Sequence, residues 1–235
     1  MSFAVAVDIG GTFTDLVAFD PATKNVIYAK SPTTYGNFVE GILNCFDHAG
    51  LGPKESRLLN HGTTLVINSL IQRQGAKTAL ITTEGFRDVL EIARANRPDP
   101  FDLYYQRDEP LIPRDLRFEV PERIGADGSV ITPLDTKALA DLAAHIKALG
   151  VEAVAIFFMN SYLDPRHEEE AAEIVKAALP GTYVTYSTEL TREWYEYERS
   201  STAAANAYVG PQVSTYVRRL ESDMETRGFD GSLFM

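Results

Sequence analysis

Three short apolar runs open the chain, at residues 3–7, 16–19 and 26–29. Gly10-Gly11-Thr12-Phe13-Thr14 separates the first two, and Asp20-Pro21-Ala22-Thr23-Lys24-Asn25 separates the second pair; both are rich in turn formers. Connections this short hold no crossover helix, so the pattern predicts three antiparallel neighbouring strands. The period then changes. Phe38, Ile42, Leu43 and Phe46 recur at helical spacing before Gly50, and Leu65, Ile67, Leu70 and Ile71 do so within 63–74. A strand over 78–82 and a helix over 85–96 follow.

Between 97 and 121 the texture shifts, because Pro98, Pro100, Pro110, Pro113 and Pro121 prevent a continuous helix. Apolar stretches over 119–124 and 130–132 flank Gly125-Ala126-Asp127-Gly128, a hairpin signal. Phe101, Leu103, Tyr104, Tyr105 and Leu111 supply apolar surface in this segment. It is therefore expected as a satellite packed beside the main sheet, near a cleft mouth, and not as one of its strands. Alternation resumes with a helix over 135–149, a buried strand over 151–159, a helix opened by Asp164-Pro165 and a strand over 183–186. A helix over 193–207 breaks at Gly210-Pro211, and a last one puts Val213, Tyr216, Val217, Leu220 and Met224 on one face. The fold class is α/β. Residues 1–96 with 133–228 are expected as one domain and 97–132 as a proline-rich insertion or lid. Residues 229–235 are expected to begin a truncated second half, since a terminal apolar strand lacks neighbours to bury it.

Composition narrows the function. The longest apolar run, 153–159, is far too short to span a membrane, and the first residues have no signal-peptide character, so a cytoplasmic protein without membrane association is expected. The net charge of −11, from 33 acidic and 22 basic residues, argues against nucleic-acid binding. It leaves room for a nucleotide, which is held by local backbone donors and a metal. The single cysteine, Cys45, rules out an internal disulfide and lies on an apolar helical face.

The candidate chemistry sits at Val7-Asp8-Ile9-Gly10-Gly11-Thr12-Phe13-Thr14-Asp15. An apolar strand delivers Asp8 to its end, and Gly10 and Gly11 let backbone N–H groups approach an anion with no Cβ in the way. Thr12 and Thr14 add hydroxyls, and Asp8 and Asp15 offer hard oxygen ligands for a nucleotide's metal. Two rival phosphate motifs fail: Gly75-Ala76-Lys77-Thr78 has the wrong spacing for a Walker loop, and no Gly-x-Gly-x-x-Gly follows a strand.

Asp8-Ile9-Gly10-Gly11-Thr12 between two strands resembles the first phosphate loop of the actin/hexokinase/Hsp70 superfamily. The longer motif is similar to the opening of the hydantoinase A/5-oxoprolinase family, which includes the ATP-binding subunits of acetone and acetophenone carboxylases. Matching segments follow in order: His61-Gly62-Thr63-Thr64, Asn68-Ser69-Leu70, Gly75-Ala76-Lys77-Thr78, Thr83-Glu84-Gly85-Phe86-Arg87-Asp88, Glu122-Arg123-Ile124, Asn160-Ser161-Tyr162 and Glu196-Tyr197-Glu198-Arg199. The family continues for several hundred residues beyond Met235. The resemblance implies an actin-like (ribonuclease H-like) mixed sheet with a β-β-β-α-β-α start. It implies ATP and Mg2+ (or Mn2+) as cofactors, with Asp8, Gly10, Gly11, Thr12, Phe13 and Thr14 around phosphate and Asp8 and Asp15 on the metal.

It also raises His61, Gly62, Thr63 and Thr64 as possible substrate or cleft residues; from the residues alone they read as a helix cap with a hydrogen-bonded histidine. His48, His145 and His167 read as scattered helix-surface positions, and Arg192 to Arg199 as an ion-paired helix joining Glu196 to Arg199. The implied activity is ATP-dependent opening of a cyclic imide or lactam such as hydantoin or 5-oxoproline. A ketone carboxylase subunit, a small-molecule kinase and a non-enzymatic nucleotide-binding module are the alternatives. Implied partners are the substrate, the remainder of the polypeptide and a hydantoinase B-like second subunit. Only one Asp-Ile-Gly-Gly-Thr loop is present where actin-like enzymes use two, so this chain by itself is expected to be catalytically silent.

Overall fold

The computed structural model describes residues 3–34 and 36–235. The chain forms two compact units, Met1–Gln72 with Gln212–Met235, and Arg73–Pro211. The boundaries thus fall at 72/73 and 211/212, not at 96 and 133. The second unit is a sequence insertion into the first.

In the first unit β1 (Phe3–Ile9), β2 (Phe13–Phe19) and β3 (Val26–Pro32) lead into α1 (Phe38–Ala49), β4 (Ser56–Thr63) and α2 (Leu65–Ile71). The second contains β5 (Thr78–Thr83), α3 (Val89–Ile92), β6 (Arg117–Val120), β7 (Arg123–Ile124), β8 (Val130–Thr132), α4 (Thr136–Ala148), β9 (Ala153–Phe157), α5 (Arg166–Ala178), β10 (Tyr183–Tyr186) and α6 (Ser187–Leu190). Helix α7 (Glu196–Thr226) carries the chain back, and β11 (Ser232–Phe234) ends it.

The first sheet has the order β11-β4-β1-β2-β3. β1, β2 and β3 are antiparallel, and β4 and β11 run parallel to β1. Strand alternation explains its two faces. Val5, Val7, Ile9 and Leu16 turn inward onto Ile42 and Phe46 of α1 and Leu220 of α7, all buried in one cluster. Each such side chain contributes roughly 1.5–3 kcal/mol by leaving water. Ala6, Asp8, Asp15, Val17 and Asn60 alternate to the opposite, exposed face. The terminal strand, expected to begin a second half, pairs into this sheet at its edge. Ser232, Leu233 and Phe234 pair with Leu58, Leu59 and Asn60, and Leu233 packs against the same core.

The second sheet, β10-β9-β5-β6, is wholly parallel. Its central strands are buried at every position, as continuous apolar runs in parallel sheets require. The proline-rich segment does supply a sheet strand: β6 pairs with β5 at the edge, in the proline-free window between Pro113 and Pro121. β7 and β8 form the expected hairpin. Phe101, Leu103 and Tyr104 stay exposed where burial was expected.

Helix α7 runs through Pro211 without the expected break. A proline removes one helical N–H and strains the preceding turn. Packing on both sides outweighs this: Ala203 and Ala207 are buried in the second unit's core, and Tyr216, Leu220 and Met224 in the first unit's. Gly210 is required where it stands, since a Cβ there would lie 2.4 Å from the Tyr183 ring.

Two polar knots lie inside the second unit. Glu168, fully buried, accepts from the Phe158 and Thr188 backbone N–H groups and from the hydroxyls of Ser161, Ser187 and Thr188 at 2.7–2.9 Å. Arg199, equally buried, donates to those two serines at 2.6 and 2.9 Å and to the Phe158 carbonyl at 3.2 Å. Its partner is thus this serine layer over Glu168 and not Glu196. In the second knot the Thr83 hydroxyl and the His167 ring, at 2.8 Å, meet the Glu122 carboxylate. His167 is accordingly buried and not a surface residue.

Candidate functional site

The β1–β2 hairpin forms as its alternation and glycines dictate, and it is tighter than the sequence suggests. The Gly10 N–H donates to the Phe13 carbonyl at 3.0 Å, so Gly10 to Thr12 alone make the turn. Thr33, just beyond β3, braces it: its N–H donates to the Thr12 carbonyl at 2.9 Å and its hydroxyl to the Gly10 carbonyl at 2.9 Å. Gly11, Thr12 and Phe13 are exposed at the tip. The loop's shape is therefore fixed before any ligand arrives.

Asp8 ends the exposed face of β1. Its register neighbours are Gly62 on β4 and Asp15 on β2, and Asp15 in turn faces Lys30 on β3. Lys30 Nζ lies 3.1 Å from the Asp15 carboxylate and sits over the Phe13 ring, 4.5 Å from its centroid. Among the described residues no side chain or N–H within hydrogen-bonding distance partners the Asp8 carboxylate. Gly62 keeps that carboxylate's surroundings open, since a Cβ there would lie 3.0 Å from Asp8 Oδ1. An open concavity of about 500 Å³ lies beside it, lined by Asp8, Asp15, Val17, Asn60, Gly62 and Phe234 among others. The residues fit a metal-bearing phosphate group: one unengaged carboxylate, a space only glycine leaves, and a braced turn. Asp15 fits less well, because Lys30 already holds it.

Thr14 points the other way. Its side chain is fully buried, and its hydroxyl lies 3.3 Å from that of Thr33. Alternation puts it on the Leu16 and Ala18 face, where it cannot reach a phosphate at the tip. Cys45 lies below it, donating to the Thr14 carbonyl at 3.1 Å, and burial pushes its thiol's pKa up.

The His61-Gly62-Thr63-Thr64 segment straps β4 to its neighbours. His61 is buried, with Nδ1 3.3 Å from the Val7 carbonyl and Nε2 2.5 Å from the Tyr216 hydroxyl. A carbonyl can only accept, so Nδ1 carries a proton; burial disfavours a second one on the ring, which leaves Nε2 to accept from the Tyr216 hydroxyl. Burial lowers the His61 pKa and raises that of Tyr216. Thr63 Oγ1 accepts the Leu65 N–H at 3.1 Å, while Thr64 Oγ1 donates to the Ile9 carbonyl at 3.4 Å. Of the four, His61 and Gly62 line the open concavity, and Gly62 keeps the space beside Asp8 clear. Sequence reasoning missed Lys30 and Thr33; the Lys30-Ser31-Pro32-Thr33-Thr34 run, ending the third strand, was the available signal.

Comparison with known proteins identifies the family. The family model described as the hydantoinase/oxoprolinase N-terminal region matches residues 4–179. Caprolactamase subunit alpha of Pseudomonas jessenii is 35% identical over 236 residues, covering 96% of this chain and 34% of the relative. The crystal structure of the ATP-dependent caprolactamase from that organism superposes with a TM-score of 0.84 at 33% identity, over 98% of this chain and 35% of that one. The acetophenone carboxylase gamma subunit of Aromatoleum aromaticum is 29% identical, over 99% of this chain and 34% of the relative. The chain therefore spans about a third of the length of these relatives. No helix among the described residues is long and apolar enough to cross a membrane. With its model matched over most of the sequence and its fold shared, the chain belongs to the hydantoinase/oxoprolinase family.

Proposed function

We propose that this chain supplies the first phosphate loop of an ATP-dependent enzyme that opens a cyclic imide or lactam. The observation that carries this reading is the Asp8 carboxylate, without a hydrogen-bond partner among the described residues, beside a braced two-glycine turn, with Gly62 leaving the space in front of it. Bound ATP with Mg2+ (or Mn2+) would supply a phosphoryl group to activate the substrate's carbonyl oxygen. Asp8 would hold the metal, directly or through water, as one or two carboxylates commonly do for magnesium. Gly10 to Phe13 would position the phosphate, so the loop's contribution is alignment and charge neutralisation. Thr14 serves as a core anchor for the loop, and Asp15 holds Lys30 over Phe13.

The remainder of the polypeptide would close the site, and a hydantoinase B-like subunit would complete the enzyme; two relatives bearing subunit names support this. The setting is the cytoplasm, where ATP is abundant and the buried Cys45 stays reduced. The second reading, an ATP-hydrolysing ketone carboxylase subunit, is supported by the acetophenone carboxylase relative. Phosphate release by the full-length protein with its partner subunit separates them. Hydantoin, 5-oxoproline or caprolactam should drive release without bicarbonate, and Asp8→Ala should lower it by about 10²-fold or more. Release with acetone or acetophenone that requires bicarbonate establishes the carboxylase, and full release by Asp8→Ala removes the phosphate loop from the chemistry.

A further inference from the structure

On the open face of the first sheet, Lys30, Asp15, Asp8 and Gly62 stand side by side across β3, β2, β1 and β4. Side chains opposite each other on antiparallel strands have Cβ atoms about 4.5–5.5 Å apart, so the three charges act on one another directly. Asp8 and Asp15 both line the concavity of about 500 Å³, and no lysine or arginine among the described residues lines it. Lys30 serves the two carboxylates from the neighbouring strand.

This lysine is held more closely than its exposure requires. Its side chain is 55% exposed, yet Nζ lies 3.1 Å from the Asp15 carboxylate and 4.5 Å from the centre of the Phe13 ring. Its backbone is fixed as well, since His48 Nδ1 on α1 donates to the Lys30 carbonyl at 3.0 Å. An exposed ion pair contributes little to stability. Its chemical effect is larger: it engages one of two hard oxygen donors that Asp8 and Asp15 would otherwise offer jointly to a divalent cation. Among the described residues no group of three or more His, Cys, Asp or Glu side chains gathers for a metal. Two carboxylates are therefore what this face supplies, and the other ligands must arrive with the ion.

We propose that Lys30 stands in for the metal. With no nucleotide bound, its ammonium neutralises Asp15 and keeps a bare divalent cation off the two carboxylates. When the metal comes with a triphosphate, Lys30 gives up Asp15 and pairs with the phosphate. The exchange deepens the phosphate loop reading of Asp8 and rests on it. Charge is compensated in both states: one ammonium beside two carboxylates before, then a divalent ion on the carboxylates and the ammonium on the added phosphate. A lysine suits this role because it is a compact charge on a flexible stem. It already lies against Phe13, where the turn that would hold phosphate ends. The result is selectivity for the metal–nucleotide complex over the metal alone.

Mn2+ alone, titrated against the 235-residue chain and followed by the spin resonance of the free ion, tests the nucleotide-free state. Lys30→Met should bind Mn2+ about tenfold tighter than the parent at low salt, as expected for removing a unit charge about 5 Å from a divalent ion, with the gain shrinking as salt is added. Lys30→Arg keeps the charge and should behave as the parent. Lys30→Met combined with Asp15→Asn should lose the gain. In the full-length protein Lys30→Met should weaken MgATP binding at least about fivefold. One substitution then moves two affinities in opposite directions, which damage to the fold does not do. Unchanged Mn2+ affinity in Lys30→Met overturns the proposal, as does a gain that survives Asp15→Asn, or undiminished MgATP binding. Asp8→Asn reads the underlying assignment separately. If it leaves MgATP binding by the full-length protein intact, the phosphate loop reading fails; if it weakens that binding while the Lys30 variants show none of these changes, the exchange alone fails.

Discussion

Asp8 and Glu168 are both carboxylates beside the carboxyl end of an apolar strand, and the molecule treats them in opposite ways. Glu168 has no exposed surface and takes hydrogen bonds from three hydroxyls and two backbone N–H groups, with Arg199 behind the serines. Asp8 stands exposed, next to a second carboxylate, with Gly62 keeping other atoms away. A buried charge survives only when saturated, so its bonds hold the fold and leave nothing for a ligand. An exposed charge left unsatisfied stabilises nothing, and its value is what it can bind. Satisfaction, more than residue type or position, separates the structural carboxylate from the functional one.

The largest effect should follow from breaking the saturated site. Glu168→Ala removes the shared acceptor of the Ser161, Ser187 and Thr188 hydroxyls and of two backbone N–H groups, and with it the buried counter-charge 3.9 Å from Arg199. Removing one member of a buried, bonded charge set costs about 3–5 kcal/mol. Urea unfolding followed by Trp194, which lies in this unit, should show that loss; a decrease under about 1 kcal/mol would mean the knot is dispensable.

Tyr216→Phe tests the neutral dyad in the first unit and should cost about 1–3 kcal/mol, since it leaves His61 Nε2 buried without its donor. The parent's pH dependence has a definite sign. The folded His61 pKa lies below its ordinary 6.5, so the folded state binds fewer protons than the unfolded one. That stability is fully present above pH 6.5 and is lost as pH falls from there through the lowered folded value. A melting profile of the first unit that is flat across this window would show that His61 is not held neutral.

These contrasts mark what the sequence could convey. The hairpin was readable because strand alternation and a two-glycine turn are local signals, and alternation also contained the fact that Thr14 shares a face with Leu16 and Ala18. Strand β4 was harder: Leu58 and Leu59 are adjacent, and its place depends on parallel pairing with β1 across more than forty residues. Glu168 and Arg199 lie in charged stretches that look like solvated helix, and their burial is decided by Ser161 and Ser187, distant in sequence from one or the other. The insertion boundaries were hidden for the same reason, since α7 continues through a proline that locally reads as a stop.

Gly62→Ala should separate shape from charge. A methyl 3.0 Å from Asp8 Oδ1 displaces the carboxylate while adding a side chain that suits a strand. Stability should change by less than about 1 kcal/mol, whereas nucleotide-driven phosphate release by the full-length enzyme should fall at least about tenfold, because small misplacements of a positioning group are costly. Unimpaired release would show that the space before Asp8 is not used.

The smallest stability effect is expected at Asp8 itself. Asp8 and Asp15 face each other across β1 and β2 on the exposed side, and like charges directly opposite on a sheet are destabilising by roughly 0.2–1 kcal/mol. Lys30 offsets part of that repulsion by pairing with Asp15 at 3.1 Å. Asp8→Asn removes the repulsion, keeps the side chain's shape and breaks no hydrogen bond seen among the described residues. The variant should therefore melt at or slightly above the parent's temperature, with a gain of no more than about 0.5 kcal/mol that shrinks as salt is added. The same substitution should abolish the carboxylate's contribution to phosphate release in the full-length enzyme. A protein that keeps a charge at a small cost in stability keeps it for something outside the fold. A clear loss of stability in Asp8→Asn would instead place Asp8 with Glu168, as a residue that holds the structure together.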